Sequence, residues 1–425
     1  MVKNLTKKLV MVMWFLANTT AFAQGSSTLT LDSCLALASR NFPLIKQYAL
    51  IEKSNEYTIA NANKGYLPQF NINGQGTYQS EVTQIPISLP NVTIEPLSKD
   101  QYKIYGEVSQ PLTDLFTIRD QKELLKVNAR IDVQKTEVDI YKLKDRINNI
   151  FFSILLLQDQ IEQSNLLRGD IESAVTKTNV AIANGVALKT SADNLNAELL
   201  KTDQRIIELQ ANRKGYIDML SLFVGRQINV GDIFEMPKPQ ILSTSQINRP
   251  ELRLYDLQKN TFDIQSKLIS NKTLPKASLF LQGGYGRPAL NMLSNDFKTY
   301  YIGGVRFSWN LNSYYTLRNE RRLLELNKVG IDVQRDVFLF NTNLTLKQQN
   351  SEIQKILELI NTDREIIVIR QRIKEVTKNQ LEFGVASTND YTTAANALDL
   401  AAQNLILHKI QLLQAQYNFQ FTSGN

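Results

Sequence analysis

Residues 300–311 read YYIGGVRFSWNL, and the side chains change character at every step. Tyr301, Gly303, Val305, Phe307, Trp309 and Leu311 fall on one side of an extended chain; Ile302, Gly304, Arg306, Ser308 and Asn310 fall on the other. Successive strand residues point to opposite faces, so this is a pattern of period two. LPQFNINGQGTY (67–78) repeats it, with Phe70, Ile72 and Tyr78 against Asn71, Asn73, Gln75 and Thr77. Two further stretches follow: 102–112, where Lys103 and Glu107 oppose Ile104 and Val108, and 277–286 within LPKASLFLQGGYG (274–286). About ten residues of such alternation, with aromatics near the ends, is the pattern of a transmembrane β-barrel strand. It turns Phe70, Ile72, Tyr301, Val305, Phe307 and Trp309 toward lipid, and Asn71, Asn73, Glu107, Arg306 and Ser308 toward a lumen. A half-buried hairpin shows the same alternation, so the strands alone leave both readings open.

The flanking sequence is helical, and it is duplicated. SQPLTDLFTIRDQKELLKVNARIDVQ (109–134) matches SWNLNSYYTLRNERRLLELNKVGIDVQ (308–334), about 199 residues on. NGVALKTSADNLNAELL (184–200) matches FGVASTNDYTTAANALDL (383–400) at nearly the same offset. Internal repeats of this size mean one supersecondary unit used twice. The first copy carries extra residues in the Pro/Ser/Asn-rich stretch ISLPNVTIEPLSKD (87–100), which reads as a loop. Segments 117–183 and 316–383 hold no proline and one glycine each, and read as continuous helices of about 100 Å. Shorter helices are expected from Thr30 to about Lys64 and from about Leu188 to Phe223. Ile140, Ile147, Ile154 and Ile161, and in the second copy Leu339, Leu346, Ile353, Ile360 and Ile367, recur every seven residues. That period favours left-handed supercoiling against neighbours, in a helical tunnel or in a plain coiled coil.

The amino terminus bears on compartment. Lys3, Lys7 and Lys8 precede a short apolar run, and Ala21-Phe22-Ala23 offers a cleavage site, so residues 1–23 read as a secretory signal peptide. Removing three lysines lowers the formal charge from +7 to about +4, with no basic stripe of the kind nucleic acid requires. The longest later apolar run, Ile150 to Leu157, is too short for a spanning helix and is broken by Ser153. Cys34 and His408 each stand alone, and no phosphate loop, nucleophile elbow or metal-ligand motif is present. Cys34 is expected to be a buried helix residue, and neither catalytic nor cofactor residues are assigned. Membrane insertion, if any, falls to the strands. Four strands cannot close a barrel, and open edges are unsatisfied in lipid, so such a chain must oligomerise; a trimer supplies twelve strands.

These residues together resemble the outer-membrane channels of the TolC family. The resemblance rests on Leu29-Thr30-Leu31, Leu35, Leu37-Ala38 and Asn41-Phe42-Pro43, and on the strand openings Leu67-Pro68 and Leu274-Pro275. It rests also on Phe383-Gly384, Asn389-Asp390-Tyr391 and Ala394, in an order covering nearly the whole mature chain. It implies a mainly α fold with a small transmembrane β part, assembled as a homotrimer around one twelve-stranded barrel with a helical periplasmic tunnel. It implies an exit duct for drugs, small molecules or proteins, served by a periplasmic adaptor and an inner-membrane transporter. The expected layout is a first repeat over 24–223, an equatorial linker over 224–249, a second repeat over 250–412 and a tail over 413–425. Turns at Gly185 and Gly384 are the expected periplasmic tip, with Lys189, Asp193, Asp390 and Thr393 as gate candidates. Thr393 and Ala386 stand where well-studied members carry an aspartate and an arginine. Asp390 also suits a helix N-cap. The competing reading is a periplasmic or surface coiled-coil protein whose strands form a soluble cap.

Overall fold

The long helices of the two halves, and the helices that follow them, run in step to the residue. A computed structural model describes residues 28–83, 96–240 and 246–425. The signal segment and most of the 87–100 stretch lie outside the described residues. The first half holds β1 (Thr28–Leu29), α1 (Leu31–Asn41), α2 (Lys46–Lys64), β2 (Gln69–Tyr78), β3 (Asp100–Pro111), α3 (Asp114–Ala183) and α4 (Lys189–Val224). After β4 (Ile233–Phe234) come α5 (Pro250–Asn271), β5 (Lys276–Arg287), β6 (Lys298–Ser308), α6 (Ser313–Glu382) and α7 (Thr388–Ser423). Helices α3 and α6 each contain 70 residues, and α4 and α7 each contain 36. Asp114 and Ser313, like Ala183 and Glu382, stand 199 positions apart.

Three boundaries differ from expectation, each for a local reason. The single helix expected over Thr30–Lys64 is two, because Phe42 is extended (φ −61°, ψ 131°) and Pro43 opens a short 3-10 turn to Ile45. Proline lacks an N–H and drives the preceding residue out of the helical region. The expected tail over 413–425 is instead the end of α7, which closes only at Gly424, with φ 87°. Gly225, with φ 72°, closes α4 in the same way. The 224–249 segment is not only a linker: β4 within it pairs in parallel with β1, Leu29 opposite Phe234.

The chain divides into two units. One comprises α1, β1, β4, α4, α7 and the parts of α3 and α6 from Lys142 and Leu344 onward. Its core sets Ile147, Phe151, Phe152 and Ile154 of α3 against Ile217 and Leu220 of α4, Ile410 and Tyr417 of α7, and Phe234. Ile147 and Ile154 of the heptad are thus core positions, whereas Ile140 and Ile161 are half-buried; Leu346 and Ile353 of α6 pack with Phe419. Cys34 lies fully buried in this core, and burial pushes its thiol up to about 11. Thr30 caps α1: its Oγ1 accepts from Ser33 N, and Ser33 Oγ accepts from Thr30 N, both at 3.2 Å.

The other unit comprises α2, α5, the four longer strands, and the earlier parts of α3 and α6. Val127 and Ile131 of α3 pack on Ile264 of α5. Lys259 of α5 pairs with Asp332 of α6 at 2.7 Å. The strands make one antiparallel sheet in the order β2-β3-β5-β6, with β2 and β6 as its edges. Their limits move by one to three residues from those expected. β2 starts at Gln69 rather than Leu67, because Leu67 N donates to Lys64 O in a turn and Pro68 has no N–H. β3 spans 100–111 rather than 102–112, and β5 spans 276–287 rather than 277–286. β6 spans 298–308 rather than 300–311: Asn310 Oδ1 accepts from Asn312 N at 3.1 Å, a local turn that ends the strand.

Candidate functional site

The register sorts the sheet into two faces. Phe70 lies opposite Val108, Val108 opposite Leu281, and Leu281 opposite Gly303, so these share a face. By alternation that face also carries Ile72, Ile104, Leu279, Tyr301, Val305 and Phe307. The other face carries Asn71, Glu107, Gln282 and Ile302 in one cross-strand row, with Asn73, Arg306 and Ser308 among its neighbours. All five residues expected toward a lumen thus lie on one face. Phe70, Ile72, Tyr301, Val305 and Phe307 lie together on the other. Trp309 is the exception, for it stands just beyond β6, where its indole Nε1 donates to the Thr273 carbonyl at 3.0 Å.

The apolar face is left open rather than covered by a core, and on the polar face Asn71, Asn73, Arg306 and Ser308 are exposed as well. Phe70, Ile72, Tyr301, Val305 and Phe307 are 66–84 % exposed. Glu107, Gln282 and Tyr105, on the polar face, are half-buried. Glu107 sits at the centre of a polar network: Arg306 Nη1 donates to its Oε1 at 2.9 Å, and Gln282 Nε2 donates to its Oε2. The Arg306 guanidinium also lies 4.6 Å from the centre of the Phe280 ring. Strands of 10–12 residues rise about 33–40 Å, and a barrel tilt near 40° lowers that to about 25–30 Å, the height of an outer-membrane apolar band. Aromatics mark both ends of the apolar face. Tyr285 and Phe297 stack at 5.5 Å by the hairpin loops, and Trp309, Tyr314 and Tyr315 lie at the opposite end, all three exposed.

The helical turns belong to the other unit. Gly185 (φ 73°) and Gly384 (φ 74°) close α3 and α6 in the left-handed region that glycine enters without strain. In each turn the glycine N–H and the next N–H return to helix carbonyls: Gly185 to Ile182 and Val186 to Ala181, then Gly384 to Leu381 and Val385 to Gln380. The turns differ in how they start the next helix. Ser387 caps α7, and the Asp390 carboxylate accepts from the Ser387 N–H at 2.9 Å and its hydroxyl at 2.7 Å. Leu188 gives α4 no side-chain cap. At the repeat offset of 199, Asp390 corresponds to Ser191, not Asp193, and Lys189 to Thr388. Thr393 donates its hydroxyl to Asn389 O at 2.8 Å. Lys189, Asp193 and Asp390 are exposed.

The residues that composition did not single out are apolar. Val186, Leu188, Phe383 and Val385 flank the two glycines and are all exposed. Between the turns lies a groove of about 910 Å³, bordered by Val186, Leu188, Leu381, Phe383 and Tyr391 and spanned by the Lys177–Glu382 ion pair. Large side chains beside a turn glycine were the available signal.

Hydrogen bonds from the Ser387 hydroxyl and backbone N–H hold the Asp390 carboxyl below the ordinary aspartate range. A depressed carboxyl stabilises the fold above its unfolded value and loses that contribution as pH falls through its folded value. Asp390→Ala is therefore expected to lower the melting temperature at pH 7, with the gap to wild type closing as the pH falls below about 4. An equal gap at pH 7 and pH 3 contradicts a capping carboxylate.

Paired 70- and 36-residue helices joined to a four-stranded sheet, twice traversed, are the fold of TolC-like outer-membrane channels. No family model and no curated protein matches the chain by sequence. Solved structures do match in three dimensions. The outer membrane protein VceC of Vibrio cholerae superposes with a TM-score of 0.65 over 93 % of this chain and 96 % of its own, at 13 % identity. The Campylobacter jejuni CmeC outer membrane channel gives 0.64 over 93 % and 85 %, at 16 % identity. The Neisseria gonorrhoeae MtrE outer membrane channel, in its open state, gives 0.64 over 93 % and 89 %, at 13 % identity. In this single chain the sheet is open, with both edges unpaired among the described residues.

Proposed function

We propose that the chain is one of three identical protomers of an outer-membrane channel, a passive, gated exit duct extending into the periplasm. The observation that carries this reading is the sheet, which turns its large apolar side chains outward and ends in two unpaired edges. Backbone groups on an edge cannot be left unsatisfied in lipid. Three copies joined edge to edge satisfy them all and place the polar face around a lumen. Helix α6 adds support, for Leu326, Val329, Val333, Val337 and Phe340 recur at three- and four-residue spacing and are exposed in one chain. Such a stripe suits burial against another helix. The outer-membrane naming of VceC, CmeC and MtrE agrees with it.

The finer reading is a tripartite efflux or secretion system. The exposed apolar residues beside Gly185 and Gly384, and the groove between them, suit docking of a periplasmic adaptor that connects to an inner-membrane transporter. The test is fractionation of cells expressing the full chain, followed by mass determination in detergent. The expected product is a trimer recovered with outer membranes. A stable monomer, soluble without detergent, instead supports the coiled-coil protein with a soluble hairpin cap.

A further inference from the structure

The polar face of the sheet is not evenly polar. Its charged groups are four cations, Lys103, Lys276, Lys298 and Arg306, and one acid, Glu107. Arg306 is committed to Glu107 at 2.9 Å, and Lys276 pairs with Asp114 at 3.4 Å. Lys298 is held by Ser294 at 2.9 Å and Asp296 at 3.4 Å. Lys103 has no hydrogen-bond or ion-pair partner among the described residues, and its charge is the one left uncompensated.

Two adjacent cross-strand rows surround it. One runs Gln75–Lys103–Gly286–Lys298, and the next runs Asn73–Tyr105–Gly284–Tyr300. The rows lie two residues apart along each strand, or about 7 Å. Both rows have glycine on β5, and neighbouring side chains occupy the space this leaves. A Cβ at Gly284 would stand 2.6 Å from Tyr105 Cβ and 2.9 Å from the Tyr300 ring, and one at Gly286 would stand 2.9 Å from Lys103 Cγ. Tyr105 Cβ and the Tyr300 ring therefore both close over Gly284, with the Lys103 stem closing over Gly286 beside them.

We propose that Lys103, Tyr105 and Tyr300, with Lys298 alongside, form a binding patch for aromatic anions. The occupant is a flat ring bearing one carboxylate or sulfonate. The ring stacks on the tyrosines over Gly284 and its charge meets the Lys103 ammonium. Neither an aliphatic anion nor an aromatic cation satisfies both rows. This rests on the channel reading, which places the patch in the lumen near the end bearing the hairpin loops, and it names a substrate class for that lumen.

The test is isothermal titration of the detergent-solubilised full-length protein with 2-naphthalenesulfonate, against a protein-free detergent blank. Hexanesulfonate, with the same charge and no ring, serves as the comparison. Naphthalenesulfonate is expected to bind, with affinity about fivefold lower for Lys103→Gln and about threefold to tenfold lower for Tyr105→Leu or Tyr300→Leu. Tyr105→Phe keeps the ring and is expected to bind as wild type. Equal affinity for the two sulfonates, or no change in Lys103→Gln, overturns the patch. A trimer that binds neither sulfonate removes the patch and leaves the channel standing. A soluble monomer in the same preparation removes the channel reading and the patch with it.

Discussion

Val305→Lys is expected to prevent assembly. Val305 lies near the middle of β6, among exposed apolar neighbours, with Leu279 opposite on β5. If that face meets lipid, a lysine there costs about 2–4 kcal/mol in each protomer at the bilayer midplane. Three copies repeat the cost around one barrel. Ser308→Lys places the same charge on the opposite face, in a row with Lys276, where water reaches it. The yield of heat-stable trimer from outer membranes separates the two variants: Val305→Lys should give little and Ser308→Lys about as much as wild type. Comparable yields would mean that the faces are assigned wrongly or that neither meets lipid.

Phe151→Ala should be the most damaging single change in the helical unit. The ring is fully buried, 5.7 Å from that of Phe234 and 6.3 Å from that of Phe152. Deleting a buried phenylalanine side chain costs about 3–5 kcal/mol through lost transfer energy and the cavity left behind. Because Phe234 lies on β4, the loss should also loosen β4 against β1. Thermal unfolding of the purified protein measures the effect. A shift no larger than that of a surface substitution such as Lys135→Ala would mean that this cluster does not hold the unit together.

The repeat and the period-two faces were legible because both follow from chemistry that recurs at fixed spacing. The five lumen-assigned residues fall on one face in the structure, since a strand that keeps its register keeps its faces. What was missed lay at ends and in pairings. Trp309 continues the alternation and still lies outside β6, because the side chain of Asn310 offers the backbone a turn. Phe42-Pro43 carried its own signal, a residue before proline, yet lies inside a pattern that otherwise reads as one helix. The end of α7 was legible too: no proline or glycine occurs between Gly384 and Gly424, and Gly225 marks the same stop in the first copy. Asp193 and Asp390 are both gate candidates by residue type, but the internal offset pairs Asp390 with Ser191, and Ser387 with the uncapped Leu188. That Tyr105 and Tyr300 both lie over Gly284 depends on cross-strand register, which no single strand encodes.

Closure of the sheet by neighbouring copies is the central claim, and hydrogen exchange at its two edges tests it most directly. In β2 and β6 every second backbone N–H points away from the sheet of its own chain. In a closed barrel those amides bond to the next protomer and should exchange as slowly as the amides of β3 and β5. In a soluble hairpin cap they face water. Exchange of the outward amides of β2 and β6 within seconds, beside protected amides in β3 and β5, would contradict the account.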